Sequence, residues 1–482
     1  MNTPLRRVAA FGAVLLFAVI ANLTWIQVVK AHEYSNRPGN TRQVLAEYDR
    51  ERGPIVDGRT AVALSKATAD RLKYLRTYPE GPVYAPITGY YSLIYGATGL
   101  EREENDILSG NDDRLIVDRI TQLLSGRKPK GGTIAVTINA RAQRVAYDQL
   151  KGKTGAVIAI DPTTGAILAM ATSPSYDPAR LSSHNTDQIR RAYAQLSQDP
   201  TQPLLNRTIS AVYPPGSTFK LVTAAAALTS GKYTKDTVIP APRTLRLPNS
   251  TAVLKNFGGE TCSPTGKMTL EAALKVSCNT AFALLGIALG DVALRDQAEA
   301  FGFNTTFDTP MTSATSVFPL SLDPAQTAQA AIGQFDVTAT PLQMAIVSAA
   351  IANNGSWFKP YLVSKQLAPD LSVLDVTQPE LGGRAVSPQV AAQLRDMMIT
   401  VVNQGTGTAA QISGISVAGK TGTAEHGNGL APHAWFTAFA PAAAPKVAVA
   451  VIVEDGGGNT EATGGRVAAP IAREVMKAVL TR

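Results

Sequence analysis

The chain has 482 residues and a formal net charge of +8, with 45% hydrophobic residues against 17% charged. That balance supports a sizeable core and excludes global disorder, while 39 Gly and 30 Pro exclude a collagen-like or low-complexity chain. Two cysteines and four histidines leave little for a zinc or histidine metal centre, so no cofactor is expected, and the modest, dispersed positive charge argues against nucleic acid as a partner.

Arg6 and Arg7 precede an apolar run from Val8 to Val29, 22 residues interrupted only by Asn22, Thr24 and Gln27. At about 1.5 Å per residue the run reaches roughly 33 Å, enough to cross a bilayer. It is longer than the ~7–15 apolar residues of a cleaved signal peptide. The positive-inside rule keeps Arg6 and Arg7 in the cytoplasm, and Trp25 suits the far interface. The expectation is a cytoplasmic tail over 1–7, a single anchor in the cell membrane over 8–29, and an extracytoplasmic remainder.

From Lys30 to about Gly132 the chain is polar and turn-rich, with short extended segments at Gly53–Val56 and Pro82–Tyr84. Leu115, Ile116, Ile120 and Leu123 give Asp113–Leu124 the spacing of a short helix. A strand over Thr133–Ile138 and a helix over Ala140–Leu150 complete a small module, 30–150, without catalytic clusters. A larger domain, 151–482, opens on a hairpin: Ala156–Ile160 and Ala166–Met170, joined by Asp161-Pro162-Thr163-Thr164-Gly165. Phe219–Leu228 reads as an Ala-rich helix, and Leu270–Gly290 as one or two more. Ile415–Ala424, Ala434–Ala440 and Lys446–Val453 read as three successive strands, and Val467–Leu480 as a closing helix. Strands at both ends of a helical middle predict an α+β domain whose ends pair in one sheet.

Gly414 to Thr421 matches the phosphate-loop string GxxxxGK[ST]. Such a loop must open onto a helix whose first amides hold the phosphates. Here Gly422-Thr423-Ala424-Glu425 leads into more glycine, only 68 residues follow Gly414, and the anchor places the segment away from cytoplasmic nucleotides. The match is read as coincidental.

Pro214-Pro215-Gly216-Ser217-Thr218-Phe219-Lys220 leads into the Ala-rich helix, and the i, i+3 spacing puts Ser217 and Lys220 on one face. A serine hydroxyl needs a neighbouring base, and a lysine serves once burial or a nearby cation lowers its pKa. Alone, Ser-x-x-Lys is most often a solvated helix face. Ser277-Cys278-Asn279 adds a hydroxyl to relay a proton and an amide to hold a peptide carbonyl. Lys420-Thr421-Gly422-Thr423 adds a cation for a carboxylate, which also keeps Lys220 neutral, on a strand whose glycine lets a substrate backbone approach.

With all three motifs in this order, the sequence resembles the penicilloyl serine transferases. Further strings carry the resemblance: Gly155–Pro162 through Ser173–Pro178, Ala331-Ile332-Gly333-Gln334, Thr340–Ala345, Gly405-Thr406-Gly407-Thr408, and above all Ala418–Glu425. Upstream, Arg52-Gly53-Pro54-Ile55-Val56-Asp57-Gly58 and Gly99-Leu100-Glu101 are similar to the non-catalytic module of class B penicillin-binding proteins, most of all the shorter actinobacterial members. Asp57-Gly58 departs from larger relatives, which have Arg-Asn-Gly after the Asp, but lies outside the site. The resemblance implies a serine transpeptidase domain: an antiparallel sheet with helices on both sides and an all-helical subdomain, behind one transmembrane helix and a small module.

It also implies roles. Ser217 is the nucleophile, Lys220 its base, Ser277 the proton relay to the leaving D-alanine and Asn279 a stem-peptide ligand. Lys420 and Thr421 face the substrate carboxylate, and the amides of Ser217 and Thr423 form the oxyanion hole beside Gly422. Peptidoglycan stem peptides and β-lactam antibiotics are the implied partners, with a membrane glycan polymerase of the shape-and-division type as a further one. A D-alanyl carboxypeptidase or a β-lactamase would use water as acceptor, but no Glu-x-x-Leu-Asn string to position that water occurs. A β-lactam sensor would need more than the short stretch before the anchor, and an idle division scaffold would not need the full set. Cys262 and Cys278, 16 positions apart, are either two buried thiols or a bridge. An exported chain favours a structural bridge, with Cys278 turned away from Ser277 and Asn279.

Overall fold

The computed structural model describes residues 3–30, 47–58, 60–116, 130–425, 431–458 and 462–481. Thr3–Thr24 is an α-helix that ends in a π-helical turn, Trp25–Val29. Its apolar stretch, Arg6–Val29, is not buried by any of the described residues. A helix apolar on every side has no solvated face, which suits a bilayer rather than a protein surface.

The module is built on a six-stranded sheet in the order Val373–Val376, Val363–Leu367, Thr133–Val136, Ile55–Asp57, Thr60–Ala67, Tyr74–Thr77. Two of its strands therefore come from the second half of the chain. Pro82–Tyr84, expected to be extended, lies in the first turn of a helix, Gly81–Thr88. Proline there gives up no hydrogen bond and its fixed φ suits a helix start. Of the helix expected over Asp113–Leu124, a 3-10 turn at Asp113–Leu115 is described and 117–124 lies outside the described residues.

Arg52 and Glu101, noted for their strings, meet in a buried ion cluster. Arg52 Nε and Arg76 Nε each donate to the Glu101 carboxylate at 2.6 Å, and Tyr78 Oη donates at 3.1 Å. Burial alone would raise the Glu101 carboxyl, but the two guanidiniums hold it below its ordinary value. Removing Glu101 would leave both buried guanidiniums without their counter-charge, at a cost of about 3–5 kcal/mol.

The second sheet has five antiparallel strands: Ala418–Ala424, His433–Ala440, Val447–Val453, Gly155–Ile160, Ile167–Ser173. Val447–Val453 pairs with Gly155–Ile160, the expected joining of distant ends. The central strands are small and apolar on both faces because helices cover both. One face meets Ala140–Leu150 and Ala468–Leu480 through Ala142, Ala146, Ile471 and Val475. The other meets Pro341–Ala352, with Lys220–Thr229 beyond it, while Pro388–Gln404 packs directly on the edge strand Ala418–Ala424. Helix Ala140–Leu150, grouped by sequence with the module, thus packs on the larger domain. Leu270–Gly290 forms two helices, Leu270–Lys275 and Asn279–Leu289, and the break between them carries Ser277.

Candidate active site

Gly216–Thr218 makes a 3-10 turn just before helix Lys220–Thr229. Gly216 has φ +52°, and a Cβ there would stand 3.0 Å from Thr423 O, so the turn sits against the end of strand Ala418–Ala424. Trp435 Nε1 donates to Pro214 O at 3.0 Å and Gly216 N to Gly333 O at 2.9 Å, fixing the turn from two sides. Ser217 lines a groove of about 1380 Å³ together with Ser277, Asn279, Thr421 and Thr423. Lys220 and Lys420 lie beneath its floor, both wholly buried.

Lys220 Nζ donates to Ser277 O and to Asn279 Oδ1, each at 2.7 Å, and lies 3.3 Å from Ser277 Oγ. Burial, and secondarily the charge on Lys420, push its pKa well below the lysine range. A neutral amine has two N–H groups, and these two acceptors use both. Its lone pair remains to accept a hydroxyl proton. Lys420 Nζ donates to Ser277 Oγ at 2.9 Å and to Thr421 O at 2.7 Å, and burial brings its pKa down to about 7.

Ser277 has φ +60°, a left-handed conformation costing a non-glycine residue about 1–2 kcal/mol. It brings both the carbonyl and the hydroxyl of one residue to Lys220. Cys278 next to it is disulfide-bonded to Cys262, with Cα atoms 5.9 Å apart, and is buried in the core while Ser277 and Asn279 line the groove.

That bond leaves helix Asn279–Leu289 with a cysteine at its N-cap and no capping side chain of its own. Asn256, which sequence reasoning missed, supplies the cap. Its Oδ1 accepts from the amides of Asn279 at 3.0 Å and Thr280 at 3.1 Å, and its Nδ2 donates to Glu260 O at 3.1 Å. The only signal was an asparagine in a turn-rich stretch ahead of Cys262. Asn279 Nδ2 donates to Lys255 O at 3.1 Å, which leaves its second N–H for a ligand.

Lys420, Thr421, Gly422 and Thr423 lie in the strand Ala418–Ala424, opposite Thr437, Phe436, Trp435 and Ala434. The phosphate-loop string therefore ends in a sheet rather than at a helix N-terminus, and lacks the amides a phosphate needs. A Cβ on Gly422 would stand 2.8 Å from Trp435 Cβ and 2.9 Å from Thr218 Cγ2. The glycine expected to admit a substrate backbone also makes room for the turn that carries Ser217.

The family described as "Penicillin binding protein transpeptidase domain" matches residues 155–477, and "Penicillin binding protein A dimerisation domain" matches 52–134. The chain is 47% identical to the peptidoglycan D,D-transpeptidase PbpA of Mycolicibacterium smegmatis, over 100% of this chain and 99% of that protein. It is 46% identical to the PbpA of Mycobacterium tuberculosis over the same shares. The structure of penicillin-binding protein A from M. tuberculosis as a ceftriaxone acyl-enzyme superimposes with a TM-score of 0.88 at 47% identity, covering 91% of this chain and 100% of that one.

Proposed function

We propose that this chain, which belongs to the penicillin-binding transpeptidase family, cross-links peptidoglycan stem peptides through an acyl-enzyme on Ser217. The observation that carries this reading is the pair of buried lysines meeting at the Ser277 hydroxyl beneath the groove.

That arrangement supports the following chemistry. Ser217 Oγ attacks the carbonyl between the two terminal D-alanines, and its proton passes to the Lys220 lone pair. The amides of Ser217 and Thr423 take the oxyanion; a donor of this kind is worth about 3–4 kcal/mol. Ser277 gives its proton to the departing D-alanine nitrogen and is resupplied from Lys220. Lys420 and Thr421 hold the terminal carboxylate, Asn279 the stem backbone, and Gly422 and Thr423 the strand edge beside it. The amine of a second stem then attacks the ester and loses its proton to Lys220, which returns a proton to Ser217 Oγ as the ester C–O bond breaks. Penicillins present the same carboxylate and amide and remain as an ester on Ser217.

The N-terminal helix anchors the chain in a membrane, with the catalytic domain on the extracytoplasmic side where peptidoglycan lies. The division is a tail over 1–7, an anchor over 8–29, a module over 30–150 and a transpeptidase domain over 151–482, with Ala140–Leu150 as the joint. A membrane glycan polymerase would supply the strands to be joined. Incubating the full-length chain in detergent with cross-linkable lipid-linked glycan tests the activity. Joined stems are expected; stems shortened by one D-alanine without joining would identify a carboxypeptidase.

A further inference from the structure

One hydroxyl at the groove has no part in these steps. Thr406 follows helix Pro388–Gln404, and its Oγ1 lies 2.6 Å from Thr421 Oγ1. The position is held on several sides. Thr406 N donates to Lys275 O at 3.3 Å, and the flanking Gly405 and Gly407 amides both donate to Val401 O at 3.1 Å. A Cβ on Gly465 would stand 2.3 Å from Thr406 O and 3.5 Å from Thr421 Cγ2, so the chain at Gly465 closes over the pair.

We infer that Thr406 is a positioning residue for the substrate carboxylate, acting through Thr421. The inference rests on the reading of Thr421 as a carboxylate ligand. Each threonine has one hydroxyl proton, and the bond between them uses one of the two. With the groove empty, either side can donate. A carboxylate only accepts, so its arrival commits the Thr421 proton to the substrate. The short contact then survives only if Thr406 donates to Thr421. The order becomes Thr406 to Thr421 to carboxylate, and a hydroxyl that accepts one bond is polarised to donate the next. Without the Thr406 hydroxyl, Thr421 keeps its proton but loses the partner that aims it.

The test measures acylation of the full-length chain in detergent by penicillin G and by its methyl ester, which lacks the carboxylate. Thr406→Val should slow penicillin G by up to about tenfold, the upper end of what one neutral hydrogen bond contributes, and leave the ester within about twofold. Thr406→Ser should restore the penicillin G rate. Equal loss with both compounds would mark Thr406 as merely structural and overturn the inference, as would no loss with either. Thr421→Val separates the two levels. If it abolishes the preference for the carboxylate while Thr406→Val preserves it, the relay alone fails. If Thr421→Val leaves the preference intact, the carboxylate reading of Thr421 fails and the inference falls with it.

Discussion

Lys420 Nζ donates a 2.9 Å hydrogen bond to Ser277 Oγ, joining residues 143 positions apart. The bond fills an acceptor site on the hydroxyl and leaves its one proton to point elsewhere, toward Lys220 or a departing amine. It also sets a cationic amine near Lys220, whose pKa is lowered by burial and then by that charge. One contact thus aims the Ser277 proton and, together with burial, favours a neutral Lys220.

The first prediction is a bell-shaped pH profile for acylation of the free enzyme. Lys220 must be neutral and Lys420 charged. The acid limb belongs to protonation of Lys220, far below the ordinary lysine value. The alkaline limb begins near Lys420's pKa of about 7. The two amines titrate as a coupled pair, so the limbs report the pair. Lys420→Met removes a repelling charge, raises the Lys220 pKa and moves the acid limb to higher pH. Lys420→Arg keeps the charge and should abolish the alkaline limb. Penicillin acylation rates from about pH 4 to 10 read both limbs; an alkaline limb unchanged in Lys420→Arg would remove Lys420 from this role.

The second prediction concerns the nucleophile and base. Labelled penicillin should attach to Ser217, and Ser217→Ala should abolish labelling. Lys220→Ala should slow acylation by about 10²–10⁴-fold, the usual contribution of a positioned base. Peptide mapping locates the ester, and a label on any other serine would overturn the assignment.

The third prediction tests the borrowed cap. Asn256→Ala leaves the amides of Asn279 and Thr280 without their acceptor and should cost about 1 kcal/mol, read from denaturant unfolding. Acylation should slow as well, because Asn279 loses its setting against Lys220. Asn256→Asp keeps the acceptor but sets its second carboxylate oxygen against Glu260 O, so it should recover only part of the stability. Its carboxylate favours a charged Lys220, so the acid limb should move to higher pH. A slower alanine variant with unchanged unfolding would rule the cap out as the cause.

The three motif strings that meet at the groove were legible because each is contiguous and its internal spacing already fixes its geometry. Ser217 and Lys220 need only one helical turn leading into a helix, and Lys420 to Thr423 only a strand. Asn256 was not legible, because it caps a helix starting 23 residues later and leaves no periodic trace. The left-handed φ of Ser277 was hidden too, since a serine gives no sign of strain that its neighbours impose. The sheet pairing of the domain's ends followed from apolar strands at both ends. The insertion of Val363–Leu367 beside Thr133–Val136 did not, because Val-Ser-Lys-Gln-Leu is too short and polar to name a partner across more than 200 residues.

The last prediction concerns the bridge between Cys262 and Cys278. Closing a loop of this length is worth roughly 3 kcal/mol in the chain-entropy account. The loop it closes leads from the segment containing Asn256, so the bridge and the cap hold the same piece of chain against the start of helix Asn279–Leu289. Neither sulfur is expected to take part in the reaction, since both are held in the bridge. Replacing both cysteines with serine in the full-length chain should therefore lower stability while keeping acylation within about tenfold of wild type, well short of the loss of a base. Losses from two devices on one segment should not add: with the bridge gone, Asn256→Ala should cost measurably less than it does with the bridge intact. Denaturant unfolding of the four proteins in that cycle gives the coupling. Additive losses would show that bridge and cap act independently. Two free thiols titrating in unfolded, never-reduced protein would rule out the bridge itself.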